Sequence, residues 1–135
     1  MALIDGKKHA GELRAETAVR VAALKARHGF APGLAVVLVG DDPASQVYVR
    51  NKEKAAKAAG IEGGVIRLAA DATQDDVLAQ VQRLNKDKSV HGILVQLPLP
   101  KHIDESRVVQ AIDPAKDVDG LHIQNMGRLM AGLSG

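Results

Sequence analysis

A phenol, an amine and a hydroxyl stand close together in the stretch SQVYVRNK, residues 45–52. Tyr48 is the only tyrosine of the chain, and Lys52 follows it by four residues, about one turn of a helix. Ser45 precedes Tyr48 by three residues and lies on the same side of such a helix. A lysine that is partly removed from water loses proton affinity and can transfer protons near neutral pH. Lys52 is therefore a candidate for acid–base chemistry.

A helical wheel separates Lys52 from the other charged residues of this segment. The side that we expect to face the core carries Ala44, Val47, Asn51, Ala55 and Ala58. The opposite, solvated side carries Gln46, Arg50, Glu53 and Lys57. Lys52 lies on the flank of the apolar stripe, beside Ser45 and Tyr48, and two interpretations are open. Its stem covers apolar surface while its ammonium group stays in water, or the amine is partly desolvated and reactive.

Two further polar residues are candidates for a binding site. Gln96 follows an aliphatic run, at the predicted carboxyl end of a strand, where open α/β sheets bind ligands. The alternative is a polar residue that merely closes the strand. Asp119, in the stretch KDVDG (116–120), carries a carboxylate that can accept two parallel hydrogen bonds. The alternative is an aspartate that forms the turn before Gly120.

Metal binding is not expected from this sequence. Asp117 and Asp119 form a D-x-D pair, but no further ligands occur at the spacing of a metal site. The five histidines likewise show no pattern of metal ligands.

The order of the predicted elements places these residues around one parallel sheet. Periodicity, cap residues and aliphatic runs predict strands at 34–39, 63–69 and 92–99, the second of them near a sheet edge. They predict helices at 7–28, at 43–59, after Thr73 and at 104–112, with one more helical segment within 113–135.

Strands that alternate with helices predict a three-layer α/β domain, in which a mostly parallel sheet is flanked by helices. We expect strands 34–39 and 92–97 to be parallel, and to be neighbours or one strand apart. The loops 40–42 and 96–98 then meet at the carboxyl edge of the sheet, where a ligand would bind.

Composition excludes several classes of protein. The length of 135 residues suits one domain. A net charge of +2 and only two aromatic residues argue against nucleic-acid binding. There is no cysteine, hence no disulfide and no zinc–thiolate site. No apolar run reaches membrane-spanning length, and the N-terminus lacks the apolar segment of a signal peptide. We therefore expect a cytoplasmic protein without a nucleic-acid or membrane partner.

Tyr-x-x-x-Lys on a helix, with a serine nearby, is typical of two enzyme families. Short-chain dehydrogenases require a glycine-rich dinucleotide turn after the first strand, and here that turn reads GDDP (40–43). The second family shares a series of motifs with this chain: Ile4-Asp5-Gly6, the segment 32–61, Asn85-x-Asp87, QLPLP after three aliphatic residues (93–100), KDVDG, and Asn125-x-Gly127-Arg128-Leu129. In this order and spacing, the sequence resembles the N-terminal catalytic domain of the bifunctional methylenetetrahydrofolate dehydrogenase/methenyltetrahydrofolate cyclohydrolase family over essentially its whole length.

The resemblance implies a role for each candidate residue. Lys52 is the key catalytic residue, and Gln96 hydrogen-bonds to it and tunes it. Tyr48 packs against the folate, and Asp119 holds the pterin ring. The rest of the folate site is implied at Ser45, Leu97 and Pro98. The implied reactions are the NADP-linked oxidation of 5,10-methylenetetrahydrofolate and the hydrolysis of the 5,10-methenyl product to 10-formyltetrahydrofolate.

The resemblance also implies a division of labour between two domains. Residues 1–135 correspond to the folate-binding catalytic domain, and the family's C-terminal dinucleotide-binding domain is absent from this chain. NADP would bind through that absent domain, which also decides between NADP and NAD, and full-length members are usually homodimers. We expect the 135-residue chain alone to perform no hydride transfer. The alternative is a stand-alone folate-binding or interaction module without turnover.

Overall fold

A computed structural model of the chain describes residues 5–133. Three strands run at β1 (Gly33–Val39), β2 (Glu62–Leu68) and β3 (Gly92–Val95) within this part of the chain. Five helices accompany them: α1 (Gly6–His28), α2 (Pro43–Ala58), α3 (Gln74–Lys86), α4 (Glu105–Ala111) and α5 (Ile123–Met130). The family motif that begins at Ile4 lies partly outside the described residues. No helix in the described range is both long enough and apolar enough to cross a membrane.

The strands form a parallel sheet in the order β2-β1-β3. Leu34 pairs with Gly92 on one side of β1, and Gly33 pairs with Glu62 on the other. The predicted parallel sheet is confirmed, and β1 and β3 are direct neighbours. The predicted edge position of β2 is confirmed as well, which agrees with its largely exposed residues.

Helices cover both faces of this sheet. On one face Val36 and Leu38 of β1 pack with Leu94 and with Val49 of α2. On the other face the alternate residues of β1 pack with α3 and α4 in a larger cluster: Ala35, Val37, Val39, Val77, Val81, Leu84, Ile93, Val95 and Val108. Crossovers in a parallel sheet are right-handed, so the reversal of direction after β2 sends α2 and α3 to opposite faces. The three-layer α/β architecture is confirmed.

The predicted orientation of α2 is wrong. Its buried residues are Ser45 and Val49, whereas Val47 is 53% exposed and Ala44, Asn51 and Ala58 are exposed too. The helix is rotated so that the Ser45–Val49 stripe faces β1. Alanines contribute little burial energy whichever way they face, so the pattern of this alanine-rich helix did not determine its rotation.

Two other elements differ from their predicted form. Strand β3 ends at Val95 instead of 99, because the chain turns away at Gln96 and carries a cis peptide bond between Leu97 and Pro98. Helix α1 has the predicted length, but its apolar stripe is only partly covered by the described residues. Val21 is its only buried residue, and Leu13 is 64% exposed.

Candidate functional site

The order of the strands creates a crevice at the carboxyl ends of β1 and β3. The chain leaves β1 toward α2 on one face of the sheet and leaves β3 toward α4 on the other face. Such a divergence between neighbouring parallel strands is where open α/β sheets bind their ligands. The two loops that were predicted to meet, 40–42 and 96–98, border this crevice.

The turn after β1 is built to start α2 beside the crevice. Gly40 adopts φ +82°, a conformation that favours glycine, and its N–H donates to the carbonyl of Leu68. Asp42 then caps α2: its carboxylate accepts a hydrogen bond from the N–H of Ser45 at 2.7 Å. That N–H, together with the Ser45 hydroxyl, lowers the pKa of Asp42 below its ordinary value. Pro43 follows at the first helical position, where it has no N–H to leave unsatisfied.

Lys52 and Gln96 meet across the crevice. Lys52 Nζ donates to Gln96 Oε1 at 3.1 Å, and the contact is partly buried. The Gln96 amide cannot turn around freely, because its Nε2 donates to the carbonyl of Leu97 at 2.6 Å. The Gln96 backbone N–H continues the β3 pairing by donating to Val37. The hydrogen bond implied by the resemblance is therefore present, between an amine on α2 and an amide held by the end of β3.

Tyr48 and Ser45 flank Lys52 on α2 in different environments. Tyr48 is 61% exposed, so its ring is free to lie against a ligand, whereas Ser45 is 2% exposed and lies under the first turn of the helix. Neither side chain hydrogen-bonds to Lys52 within the described residues. The structure thus brings Lys52 and Gln96 into contact and leaves Tyr48 as an accessible neighbour.

A carboxylate in the first turn of α4 holds the chain directly after the QLP segment. Leu97 is half-buried and Pro98 is exposed, and the N–H of Leu99 donates to the Glu105 carboxylate at 2.7 Å. Sequence reasoning did not single out Glu105. Its place in the first turn of a helix, six residues after Leu99, is the only signal in the chain for this contact.

Asp119 comes to the same edge of the sheet by a different route. Asp117 forms an isolated parallel bridge with Ile93 of β3, so the chain from Asp117 to Asp119 runs in the direction of β3 toward its carboxyl end. Asp119 is exposed, and its carboxylate has no hydrogen bond or ion pair with residues 5–133. It borders an open depression of about 430 Å³ that Val118, Leu129 and Leu133 also line. An unpaired carboxylate at this edge is available to a ligand.

The anchors of the KDVDG segment were missed by sequence reasoning. Lys116 Nζ donates to three carbonyls at the end of α3, those of Leu84, Asn85 and Asp87, at 2.8–3.0 Å. Asp117 accepts from the N–H of Gly120 at 3.1 Å and from that of His122 at 2.9 Å. The residues that the motif shares with the family therefore include structural ones, and the motif alone does not separate these from Asp119. No group of three or more potential metal-ligating side chains occurs in residues 5–133.

A sequence model of the catalytic domain of tetrahydrofolate dehydrogenase/cyclohydrolase matches residues 4–119. The chain belongs to this family. Its membership agrees with the geometry, because the matched range contains α2, the QLP segment and Asp119.

Relatives at high identity carry the same assignment. The bifunctional protein FolD of Nitrobacter winogradskyi is 60% identical over 132 residues, which are 98% of this chain and 45% of that protein. The bifunctional protein FolD of Prosthecochloris aestuarii is 55% identical over 98% of this chain and 45% of its own length. The chain thus spans about half the length of the curated relatives that it matches.

Solved structures of the family superimpose closely on this fold. The bifunctional FolD methylenetetrahydrofolate dehydrogenase/cyclohydrolase of Campylobacter jejuni gives a TM-score of 0.96 at 46% identity, covering 100% of this chain and 48% of that one. The methylenetetrahydrofolate dehydrogenase-cyclohydrolase of Trypanosoma brucei, solved with NADP cofactor and inhibitor, gives 0.91 at 41% identity, covering 95% of this chain and 43% of that one.

Proposed function

We propose that this chain forms the folate site of a cytoplasmic, bifunctional tetrahydrofolate dehydrogenase/cyclohydrolase. The reactions are the NADP-linked oxidation of 5,10-methylenetetrahydrofolate and the hydrolysis of the 5,10-methenyl product to 10-formyltetrahydrofolate. The observation that carries the proposal is the Lys52–Gln96 hydrogen bond at the carboxyl edge of the sheet, in a chain of this family.

Hydrolysis needs a group that moves protons beside a cationic carbon. The methenyl carbon lies between two nitrogens and carries positive charge, so water can attack it. The proton released by that water must then be taken up nearby. A neutral lysine amine can take it, whereas a permanently charged side chain would repel the cationic substrate. We assign this role to Lys52, with Gln96 as the group that holds the amine in position.

Binding is assigned to the residues around this pair. The exposed ring of Tyr48 supports the folate, and the carboxylate of Asp119 accepts hydrogen bonds from the amino group and ring N–H of the pterin. Leu97 and Pro98 form the wall contributed by the QLP segment. Ser45 is buried at the start of α2, one turn before Tyr48, so we assign it to holding this helix in place and not to direct contact with the folate.

Hydride transfer requires an acceptor, and NADP supplies this chemistry in the family. The described residues do not fit a dinucleotide. The turn after β1 lacks the glycine-rich pattern, and the N–H of Ser45 at the start of α2 is already bonded to Asp42. We therefore place the NADP site in the half of the longer relatives that this chain does not span, and we expect the full-length protein to be a homodimer.

The test is the hydrolysis of 5,10-methenyltetrahydrofolate by the full-length protein, with and without Lys52→Met. We expect turnover to fall by on the order of 10²–10⁴-fold, because a general acid–base group is lost. Affinity for a stable analogue, 5-formyltetrahydrofolate, should change little, because Tyr48 and Asp119 remain. Analogue binding by an unaltered protein that shows no turnover would instead support a binding module. Full turnover in Lys52→Met would contradict the assignment of Lys52.

A further inference from the structure

The carboxylate of Asp117 gathers the loop that carries Asp119. Its Oδ1 accepts from the N–H of Gly120, and its Oδ2 accepts from the N–H of His122 and from Asn125 Nδ2, both at 2.9 Å. These donors lie on the chain after Asp119, whereas Asp117 lies before it. One side chain therefore closes the loop around Asp119 from both ends.

The base of this loop is tied to rigid elements. The N–H of Ile93 in β3 donates to the carbonyl of Lys116 at 2.7 Å, directly before Asp117. A Cβ on Gly92 would lie 2.6 Å from Val118 Cγ1, so the segment packs against β3 at the limit of close approach. Asn125 donates a second hydrogen bond, to the carbonyl of Pro114 at 2.9 Å. The loop is thus fixed to β3 on one side and to the start of α5 on the other.

The charge of Asp117 is retained in this setting. Burial alone would raise the pKa of Asp117, but the donated hydrogen bonds of the His122 N–H and the Asn125 side chain outweigh burial and lower it. Asp119 has no such partners in the described part of the chain, and its carboxylate stays free. The two carboxylates of the D-x-D pair therefore differ in role: that of Asp117 holds the loop, and that of Asp119 faces outward.

We propose that Asp117 is a positioning residue for folate binding, which fixes the loop 117–122 so that the Asp119 carboxylate meets the pterin. This inference rests on the proposed function of the site. Asp117 does not touch the folate. It acts through Asp119, so its contribution to affinity should exist only while Asp119 is present.

The experiment is a double-mutant cycle in the full-length protein, read as the Kd for 5-formyltetrahydrofolate and as KM and kcat for methenyl hydrolysis. Asp117→Asn keeps the shape of the side chain but turns an amide donor toward the donors of His122 and Asn125. We expect it to raise Kd and KM by on the order of tenfold, with kcat within about threefold, because charged hydrogen bonds are lost from the loop. In the Asp119→Ala background the same change should alter Kd by less than about twofold.

Asn125→Ala is the second variant, in case Asp117→Asn folds poorly. It removes one of the three donors to Asp117, together with the hydrogen bond to Pro114, and leaves the Asp117 charge, so a smaller rise in Kd is expected, again only when Asp119 is present. Asp113→Asn is the matched control. Asp113 also caps a turn, by accepting from the N–H of Ala115 at 2.9 Å, but it lies outside the loop. The Kd of the Asp113→Asn variant for 5-formyltetrahydrofolate should therefore be unchanged.

Three results would overturn the positioning role. The first is an equal loss of affinity from Asp117→Asn with and without Asp119, which indicates a general structural role. The second is unchanged affinity in Asp117→Asn, and the third is unchanged affinity in Asp119→Ala, each in a protein whose unaltered form hydrolyses the substrate. Failure of the proposed function is distinguishable from all three, since the unaltered protein itself would then neither bind the analogue nor turn over.

Discussion

In the role proposed for Lys52, the side chain must release and regain a proton, and that requirement separates lysine from arginine. Arginine stays charged at any pH at which proteins are folded, and its planar head is larger than an ammonium group. A guanidinium at this position would keep the charge and still reach Gln96. Charge and proton transfer can thus be tested apart.

Lys52→Arg should therefore fail about as badly as Lys52→Met. We expect methenyl hydrolysis by the full-length protein to fall on the order of 10²–10⁴-fold, while binding of 5-formyltetrahydrofolate persists. Initial rates at saturating substrate, together with the Kd for the analogue, measure the two effects separately.

Lys57→Arg is the control on the same helix. Lys57 is exposed and pairs with Glu53 at 2.9 Å, which is a surface contact that arginine can replace. Its rate should stay within about twofold of the unaltered enzyme. If Lys52→Arg kept most of its turnover, positive charge alone would suffice at this position, and the general-base role would have to be given up.

At the scale of residues, sequence reasoning identified the groups that face the crevice better than those that hold them. Lys52 and Gln96 stand in short motifs with distinctive spacing, and their contact is present. Lys116 bonds to backbone carbonyls 29–32 residues before it. Asp117 bonds to groups of the loop and helix that directly follow it, and its motif does not show which of its two carboxylates does so. Asp117 and Asp119 are chemically identical in the sequence. Only the structure distinguishes the bonded carboxylate from the free one.

The N-terminus of α2 is the element that sets the position of Lys52, and Asp42 is its cap. Asp42→Ala removes the acceptor for the N–H of Ser45 and should lower the melting temperature at neutral pH. Asparagine caps helices about as well as aspartate, so Asp42→Asn should stay close to the unaltered protein. Thermal unfolding of the three proteins, followed by circular dichroism, is the measurement.

The contribution of Asp42 should depend on pH in a definite direction. Its pKa in the folded protein is lowered from the ordinary value of 3.8, so the stabilisation is fully present above that value and is lost as the pH falls through the lower, folded value. The difference in melting temperature between the unaltered protein and Asp42→Ala should shrink in that acid range. A difference that grew with acidity would contradict the capping role.

Leu38 couples the sheet to α2, since it is buried against the same cluster as Val49. Leu38→Ala should reduce the free energy of unfolding by about 2–5 kcal/mol, because it removes buried methyl groups and leaves a cavity. Leu38→Met keeps the volume and should cost less than about 1.5 kcal/mol. Urea unfolding measures both. Equal losses in the two variants would show that the shape of the side chain matters more than its volume.

At the scale of elements, the sequence predicted the bounds best for a strand that is buried on both faces and for helices with clear cap residues. The aliphatic run of β1 and the strong caps of α2 and α3 predicted their elements within one or two residues. The end of β3 was misplaced because Leu97 and Leu99 continue its apolar character after the backbone has left the sheet. The rotation of α2 was misplaced because alanine fits either side of a helix.

At the scale of the whole molecule, several large apolar side chains of α1 and α5 are exposed among the described residues. Leu13, Val19 and Leu24 of α1 are exposed, as are Leu129 and Met130 of α5. Apolar exposure of this extent is typical of surfaces that pack against another part of a protein. It agrees with the finding that the matched relatives are about twice as long.

The 135-residue chain should form no NADPH from 5,10-methylenetetrahydrofolate, whereas the full-length protein should form it. The physical reason is that the chain lacks a glycine-rich turn for the pyrophosphate, and Asp42 already holds the N–H of Ser45 at the start of α2. Absorbance at the wavelength of the reduced nicotinamide measures the reaction. NADPH formation by the purified short chain would contradict the division of labour between two domains.

The three carbonyls held by Lys116 have a consequence for how the site moves. The last turn of α3 and the base of the loop 117–122 are joined through one ammonium group, so neither can open without breaking contacts of the other. Amide protons of both segments should then exchange with solvent together, as one cooperative unit. We therefore expect the loop that bears Asp119 to move together with the end of α3, and a folate bound there would meet a carboxylate whose position depends on that helix.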